Sequence, residues 1–489
     1  MVVCAFADVS GYNTRFRNTI SQLVTAGCEV LCVTTGAGRS LPGVPFPAGV
    51  EPPSSFCGAT VLGAPSFGCP FYWQVPLSFA ATRKVFTTLR DFKPQVVHVT
   101  SPGVMLLAAW AYARILDVPL VMSYHTHVPE YLPRYGLGWL QGACWAAIRA
   151  AHARAHLTVA ASSSLADELV RCGASPARLT KAWRKAVDVD KFAPGWRSEA
   201  VRRRLCGLPE HAAAAAGAAA GANAGADAGA DAEADATQLL LYVGRLGAEK
   251  SVDTLQPLLA SLPPTARLAI VGDGPARADL EAAFQADPLT RGRALFTGTL
   301  RNDALSAAYA SADIFLMPSE TETLGFVVLE AMASSLPVVA VAAGGLPDIV
   351  TQPGANGFLY QPGDAAGAQR QVRALMSDPA LRQRVGAAAR TESEQWGWAA
   401  ATRQLLCEQY PLAIAMHEAG LHRWGARRLQ QAGMPGGEGQ GRRLVTTSAK
   451  LAALRGLYST ATGKAARRAA VRKAGKAGKA IVRRALAAL

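Results

Sequence analysis

The chain has 489 residues, of which half are apolar and 17% charged, and its formal net charge is +15 at pH 7. This length and apolar content predict two or more globular domains. The longest apolar stretch, residues 104–122, is interrupted by Arg114 and Asp117, so no membrane-spanning helix is predicted. Nine scattered cysteines without a CxxC pair disfavour a zinc site and a disulfide framework, and indicate a reducing compartment.

The positive charge is concentrated at the C-terminus. Thirteen Lys and Arg and no acidic residue lie between Arg442 and the end, which leaves 37 basic and 35 acidic residues for the rest of the chain. A basic tail can bind nucleic acid or an anionic membrane surface, or it can remain solvated. Because this tail has few aromatic side chains for base stacking, its composition favours a membrane surface over nucleic acid.

Short β-branched runs alternate with helical stretches in the first half of the chain. Strands are predicted at Val2–Phe6, Glu29–Thr34, Val96–Thr100, Pro119–Ser123 and Leu157–Ala161. Helices are predicted at Thr14–Ala26, Ser78–Asp91, Gly103–Leu116, Gly138–Ala155 and Ser164–Cys172. This alternation predicts a parallel sheet covered on both faces, and hence a Rossmann-like N-terminal domain over residues 1–193.

A low-complexity linker over residues 194–237, mostly Ala, Gly and Asp from Ala212 to Ala236, precedes a second alternation. Strands are predicted there at Leu239–Val243, Arg267–Val271, Arg293–Phe296, Ile314–Met317 and Pro337–Val341. They predict a second Rossmann-like domain over residues 238–395, closing helices over 396–430, and a Gly-rich spacer with the basic tail over 431–489. The predicted fold class is α/β, with two doubly wound domains, an interdomain cleft, and ligands at the carboxyl ends of the strands.

Polar groups follow three of the predicted strands in the second half. Arg245 and Lys250 come after the first strand, and their two cations suit a diphosphate. Gly272 comes after the second, where a glycine permits close backbone approach. After the fourth, Glu322 precedes a helix and Glu330 lies within it, so carboxylates for sugar or ribose hydroxyls accompany a helix N-terminus for phosphate. The set predicts a nucleotide-sugar site, although the last stretch alone would also suit a capped surface helix.

The first half offers weaker signals. Gly11 lies in a short loop after the first strand, and His125 and His127 follow the strand that ends at Ser123. A metal site at the two histidines would need a third ligand, for which the sequence offers no clear candidate. Asp188 and Asp190 form an acid-x-acid pattern, but their position near the end of the first domain disfavours metal binding there.

These residues resemble the motifs of retaining GT-B glycosyltransferases with a Glu-x7-Glu motif. The matching motifs are Gly244-Arg245 with Glu249-Lys250, Gly272 to Pro275, and Glu322 to Glu330. The segments 9–12, 66–70, 123–135 and 319–332 are in addition similar to plant and algal sulfoquinovosyltransferases, a resemblance that covers residues 8–410. It implies transfer of sulfoquinovose from UDP-sulfoquinovose to diacylglycerol, with retention and without a divalent metal or other cofactor. It also implies a peripheral enzyme of sulfolipid biosynthesis on the stromal face of the chloroplast inner envelope.

The resemblance also implies a role for each motif residue. Arg245 and Lys250 would hold the diphosphate, Glu330 the ribose hydroxyls, and Glu322 the donor hexose. His125 would approach the sugar near the reacting carbon. Backbone contacts to phosphate or sugar are expected from Gly11, Gly272, Thr323, Leu324 and Gly325. On this reading His125, Glu322, Arg245 and Lys250 are the candidate catalytic residues.

Two features of the proposed substrates need further contacts. A donor with two phosphates and a sulfonate requires a third cation, for which Arg134 and Lys185 are candidates, with His127 a further sulfonate or acceptor contact. For the lipid, the helix over 138–155 carries Trp139, Leu140, Cys144, Trp145 and Ile148 beside Arg149 and Arg154. This pattern fits either a lipid-binding amphipathic helix or an ordinary core-facing one.

The sequence departs from the family pattern in three ways, and three other functions are compatible with its fold class. The chain begins closer to the Gly11 loop than family members do, Ala186 stands where glycine is usual, and the linker and basic tail are additions. The alternatives are a glucosyl or mannosyl lipid synthase, a nucleotide-sugar epimerase, and a non-catalytic membrane-binding protein. The Arg245, Lys250, Glu322 and Glu330 set disfavours the last two.

Overall fold

The structure, a computed structural model, describes residues 2–3, 11–42, 46, 51–69, 72–208 and 237–418. Residues 209–236 of the predicted linker, most of the first predicted strand, Val9 and Ser10 of the Gly11 loop, and the whole basic tail lie outside these residues. Residues 194–208, predicted as the start of the linker, instead contain a helix at Glu199–Leu205. The described chain forms two compact units. Unit 1 comprises the described residues within Met1–Pro129, Trp139–Lys185 and Trp398–Leu489, and unit 2 comprises those within Glu130–Gly138 and Ala186–Gly397.

The described strands and helices alternate through most of the chain. The strands are β1 Val2–Val3, β2 Leu31–Arg39, β3 Ser55–Phe56, β4 Ala59–Cys69, β5 Tyr72–Leu77, β6 Val97–Ser101, β7 Leu120–Tyr124, β8 Leu157–Ala160, β9 Thr180–Ala182, β10 Gln238–Val243, β11 Ala266–Val271, β12 Ala294–Gly298, β13 Ile314–Met317, β14 Val338–Val341 and β15 Phe358–Tyr360. The α-helices are α1 Gly11–Thr25, α2 Arg83–Phe92, α3 Met105–Ile115, α4 Val128–Arg134, α5 Gln141–His152, α6 Ser163–Arg171, α7 Glu199–Leu205, α8 Leu255–Ala260, α9 Arg277–Ala286, α10 Asn302–Ser311, α11 Phe326–Ala333, α12 Ala365–Ser377, α13 Pro379–Ser393, α14 Trp398–Gln404 and α15 Tyr410–Glu418.

Unit 1 is built on one sheet with the strand order β3-β4-β2-β1-β6-β7-β8-β9. Its strands from β4 to β9 along this path are parallel, while β3 and β5 pair antiparallel with β4. The central strands β6 and β7 are buried almost throughout. Such continuous burial is expected for parallel strands with helices on both faces.

Unit 2 is built on a six-stranded parallel sheet with the order β12-β11-β10-β13-β14-β15. Counted from the first strand of the unit, this is the order 3-2-1-4-5-6 of the Rossmann fold. The sheet and its helices share a core that includes Leu240, Ile270, Phe284, Leu316 and Val372. The reversal in strand order lies between β10 and β13, which are direct neighbours.

The sequence pattern did not predict strands β3, β4, β5, β9 and β15, and the reasons can be identified. The β3–β5 region contains Pro65 and Pro76, and proline argues against a strand when only sequence is considered. β9 and β15 have three residues each, too few to show a period. The predicted closing helix is described as far as Glu418, as α14, a five-residue π-helix and α15, and its predicted continuation lies outside the described residues.

Residues 130–138 belong to unit 2, although the sequence placed them in the N-terminal domain. Likewise, unit 2 begins at Ala186 rather than after the linker, and the chain returns to unit 1 at Trp398. Hydrophobic periodicity cannot reveal this exchange because it reports burial and not the domain that provides it. Among the described helices, we find none with the length and apolar content needed to cross a membrane.

Candidate active site

The donor motifs of unit 2 meet at the reversal in strand order. Gly244-Arg245 follows β10, and the loop that carries Glu320 and Glu322 follows β13, its neighbour in the sheet. Ligands of open α/β sheets bind outside the carboxyl ends of the strands at such a point. The topology therefore brings together two motifs that are more than 70 residues apart in sequence.

Lys250 and Glu322 form an ion pair at 2.5 Å between Nζ and Oε1, with only 16% and 14% of the two side chains exposed. Burial, the largest single effect, lowers the pKa of Lys250, but Glu322, Tyr131 and Glu249 together outweigh it and the net pKa is raised. Lys250 is therefore a permanent cation at neutral pH. The predicted diphosphate contact and the predicted hexose contact lie within hydrogen-bonding distance of each other.

Arg245 lies beside a second, more deeply buried carboxylate. Its Nη1 is 3.7 Å from Oε1 of Glu249, which is 3% exposed. The other carboxylate oxygen of Glu249 accepts a hydrogen bond of 2.6 Å from the Tyr135 hydroxyl. The backbone carbonyl of Glu249 accepts a further bond from Thr321, which ties the loop after β10 to the loop after β13. Glu249 thus organises the loop that presents Arg245.

Arg134 contacts the same two loops from residues 130–138. Its Nη1 donates to Oγ of Ser251 at 3.0 Å, and its Nη2 donates to Oε2 of Glu320 at 2.9 Å. Tyr131 lies one helical turn earlier in α4. The pKa of its phenol is raised, first by burial, and the charges of Lys250 and Glu322 also act on it. The structure therefore places Arg134 beside the acidic loop of the predicted hexose site.

Glu330 projects from α11 toward Tyr309, whose hydroxyl donates to its Oε2 at 2.9 Å. Burial raises the pKa of the Glu330 carboxyl from 4.5 to about 7, although the Tyr309 bond and the charge of Lys191 oppose this rise. Glu330 is consequently near the midpoint of its ionisation at neutral pH. The Tyr309 partner has no signal in the sequence, because it lies on α10 and outside every recognised motif.

Close backbone contacts hold the glycine motifs together. Gly325 is the N-cap of α11 with φ +94°, and a Cβ there would lie 2.7 Å from the Leu346 side chain. Gly345 donates its N–H to the carbonyl of Glu322 at 2.7 Å. The amides of Thr323, Leu324 and Gly325 therefore lie in a tightly held loop at the N-terminal end of α11, where a helix favours an anion.

Replacing Gly272 with Ala is expected to destabilise the protein by roughly 3 kcal/mol or more, because Gly272 has φ +142° and a Cβ there would lie 1.8 Å from the Gly244 carbonyl oxygen. For a domain of this size the melting temperature should fall by about 6–12 °C. Gly292→Ala is the matched control, since Gly292 has φ +73° with no atom within 4 Å of its added Cβ. Equal melting temperatures for the two variants would show that the contact with Gly244 does not matter.

His125 lies in unit 1, at the end of β7, in a buried aromatic cluster. Its ring is 5.3 Å from that of Phe16 and 5.8 Å from that of Trp183. Burial, together with the nearby Arg15 and His98, holds the pKa of His125 well below its ordinary value of 6.5. His125 is therefore neutral at physiological pH, and it can offer a hydrogen bond but no positive charge.

Three further predicted site residues, His127, Gly11 and Lys185, lie in unit 1. His127 is buried, with Nδ1 3.2 Å from the Tyr124 hydroxyl and Nε2 3.1 Å from Oε2 of Glu168. Its contact with His127 is the main reason why the pKa of Glu168 is lowered. Gly11 is the first residue of α1, and Lys185 is the last residue of the Trp139–Lys185 segment of unit 1. Their roles in the donor site stay predictions.

The two acids of the acid-x-acid pattern form a local turn. Oδ1 of Asp188 accepts the N–H groups of Asp190 and Lys191 at 3.2 and 3.0 Å. This is a common use of Asp in turns and gives the pattern a structural explanation.

The helix predicted to contact lipid buries part of its apolar stripe. Ile148 is 3% exposed and Trp145 packs against the ring of His127, so these two residues of the predicted stripe face inward. Trp139, just before α5, is by contrast 79% exposed. Helix α3 exposes apolar side chains that the sequence pattern did not single out: Leu107, Trp110 and Ile115.

Residues 9–191 match the family model described as glycosyltransferase family 4, and residues 228–392 match the model described as glycosyl transferases group 1. The chain is 43% identical over 433 residues to sulfoquinovosyl transferase SQD2 of Arabidopsis thaliana, with 87% of this chain and 76% of that protein covered. The chain belongs to the sulfoquinovosyltransferase family. This confirms that it is a glycosyltransferase, as the motifs predicted.

Two further matches are less similar to the chain than the Arabidopsis protein is. A GDP-mannose-dependent alpha-mannosyltransferase of Mycobacterium tuberculosis is 36% identical over 309 residues, with 63% of this chain and 70% of that protein covered. Among solved structures, Anabaena Alr3699/HepE in complex with UDP and glucose superposes with a TM-score of 0.61 at 17% identity, covering 83% of this chain and 97% of that one. The structural match confirms the predicted GT-B fold class of two α/β domains.

Proposed function

We propose that this protein transfers sulfoquinovose from UDP-sulfoquinovose to diacylglycerol with retention of configuration, making sulfoquinovosyl diacylglycerol. The observation that carries the proposal is the 43% identity to an Arabidopsis sulfoquinovosyl transferase over most of the chain. The intact donor motifs at the reversal in strand order support it, since Arg245, Lys250, Glu322 and Glu330 are all present in unit 2.

The roles of these residues follow from their chemistry. When the bond between the anomeric carbon and the diphosphate breaks, negative charge develops on the departing UDP. Lys250, Arg245 and the N-terminal amides of α11 are preorganised to stabilise that charge, so no divalent metal is needed. Glu330 would accept hydrogen bonds from the ribose hydroxyls and Glu322 from the hexose. The neutral His125 would bind a sugar hydroxyl near the reacting carbon.

A lipid acceptor implies that the protein works at a membrane surface. We place it as a peripheral protein on the anionic stromal face of the chloroplast inner envelope. Unit 1 supports surface binding by exposing Leu107 and Ile115 on α3, on the same helix as Trp110, whose ring lies 5.0 Å from the Arg154 guanidinium carbon. Apolar side chains with adjacent arginines suit the interface of an anionic bilayer.

A mannosyl or glucosyl lipid synthase is the second candidate, because the mycobacterial alpha-mannosyltransferase is 36% identical over 309 residues. To decide between them, purified protein is incubated with diacylglycerol vesicles and one donor at a time, and the lipids are identified by mass spectrometry. Product with UDP-sulfoquinovose alone is expected. Product only with GDP-mannose or UDP-glucose would refute the proposed donor and leave the glycosyltransferase assignment standing.

A further inference from the structure

Residues 130–138 are fastened to the donor motifs of unit 2 by side-chain hydrogen bonds. Arg134 bridges Ser251 after β10 and Glu320 after β13, and Tyr135 donates to Glu249. These contacts fix the Arg134 guanidinium against Glu320, which lies two residues before Glu322 in the sequence. The segment thus brings one extra cation to the acidic loop at which the donor hexose is expected.

The other two cations of these motifs already have assigned partners. Lys250 pairs with Glu322, and Arg245 lies near Glu249. In the proposed reaction both serve the diphosphate. A sulfonate adds a further negative charge with three acceptor oxygens, which two cations committed to the diphosphate do not neutralise. Arg134 has five N–H donors, of which the bonds to Ser251 and Glu320 use two, so three remain for an anion.

We infer that Arg134 is the specificity-determining residue that binds the sulfonate of the donor sugar. This inference rests on the proposed function, since only a sulfonated donor needs the contact. Ser251 and Glu320 orient the guanidinium in the free protein. Its side chain is 29% exposed, so a ligand can reach it without unfolding the segment. A glucosyl donor has an uncharged hydroxyl where sulfoquinovose has its sulfonate, and gains little from this cation.

The test compares the affinities of three ligands for the wild type and for one variant. We would measure dissociation constants of UDP-sulfoquinovose, UDP-glucose and UDP by calorimetry, for the wild type and for Arg134→Gln. Gln keeps an amide donor for Ser251 or Glu320 but removes the charge. We expect UDP-sulfoquinovose to bind about 10–100-fold more weakly, as for loss of a charged hydrogen bond, while UDP-glucose and UDP change less than about 3-fold. Unchanged UDP binding also shows that the variant is folded.

Tyr135→Phe is the matched control. It removes the bond to Glu249 and loosens the same segment, but it keeps the Arg134 cation. If Arg134 only anchors the segment, Arg134→Gln and Tyr135→Phe will weaken both donors alike, and the inference is overturned. It is also overturned if Lys185→Gln, and not Arg134→Gln, removes the preference for the sulfonated donor.

The inference and the proposed function fail in different ways. A wild-type protein that prefers UDP-sulfoquinovose, with an Arg134→Gln variant that keeps the same preference, refutes the inference alone. A wild-type protein that binds UDP-glucose or GDP-mannose and not UDP-sulfoquinovose refutes the proposed function, and the inference with it.

Discussion

Replacing Lys250 with Met is expected to lower kcat/KM for the donor by about 10²–10³-fold, the usual cost of losing one preorganised group that stabilises transition-state charge. Lys250 is mostly buried, and its raised pKa keeps it charged throughout the neutral range. Its cation is therefore available to the departing diphosphate at every pH at which the protein is assayed. Steady-state kinetics with the accepted donor measure the effect.

The variant also leaves the Glu322 carboxylate without its partner, so stability has to be measured beside activity. Lys84→Met is the control, because Lys84 is an exposed residue of α2 in unit 1. Lys250→Arg keeps a positive charge, on a planar guanidinium instead of an ammonium group, and should retain more activity than Lys250→Met. A Lys250→Met protein that melts like the wild type and turns over at the wild-type rate would contradict the assignment of Lys250 to the leaving group.

Glu322→Gln and Glu330→Gln are expected to have opposite kinetic signatures. Glu322 lies 2.5 Å from Lys250 and is assigned to the hexose, so Gln there should lower kcat by about 10²-fold with little change in donor affinity. Glu330 is assigned to the ribose, so Gln there should weaken donor binding by about 10-fold and leave the saturated rate nearly unchanged. Pre-steady-state binding and kcat separate the two effects, and identical signatures would mean that this division of roles is wrong.

The pH dependence of donor binding isolates Glu330. Its pKa of about 7 in the folded protein means that the hydroxyl-accepting carboxylate forms as pH rises from 6 to 8, so donor affinity should rise over that range. In Glu330→Gln the profile should be flat. A nucleotide sugar is the required ligand, because the terminal phosphate of free UDP ionises in the same range. A wild-type profile as flat as that of the variant would show that ionised Glu330 does not contact the donor.

The raised pKa of Glu330 makes protein stability fall over the pH range in which donor affinity rises. The pKa of Glu330 is raised above its ordinary value of 4.5, so the folded state holds the proton more tightly than the unfolded state does. The contribution of this proton to the free energy of unfolding is complete below pH 4.5, and it is lost as pH rises through about 7. Donor binding and protein stability therefore place opposing demands on this carboxyl group between pH 6 and 8.

The donor half of the site could be predicted because its signals are local. Each motif directly follows an apolar strand, as at Val243 before Arg245 and Met317 before Glu322. In a parallel sheet the carboxyl ends of all strands lie at one edge, so strand order alone brings the motifs together. The order 3-2-1-4-5-6 in unit 2 then makes β10 and β13 neighbours.

The side chains that hold the donor loops in place could not be predicted, because they act through contacts between residues far apart in the chain. Tyr135 meets Glu249 across 114 residues and Arg134 meets Glu320 across 186. The exchange of residues 130–138 into unit 2 has no counterpart in any local pattern. The inward face of α5 shows a related limit, since an apolar stripe suits a protein core and a lipid surface equally well.

A competition assay tests the central claim most directly. The protein is given UDP-sulfoquinovose, UDP-glucose and GDP-mannose at equal concentrations with diacylglycerol vesicles, and the early glycolipid products are quantified by mass spectrometry. Their ratio equals the ratio of kcat/KM values and is independent of the absolute rate. We predict that sulfoquinovosyl diacylglycerol predominates; a predominance of glucosyl or mannosyl diacylglycerol would contradict the account.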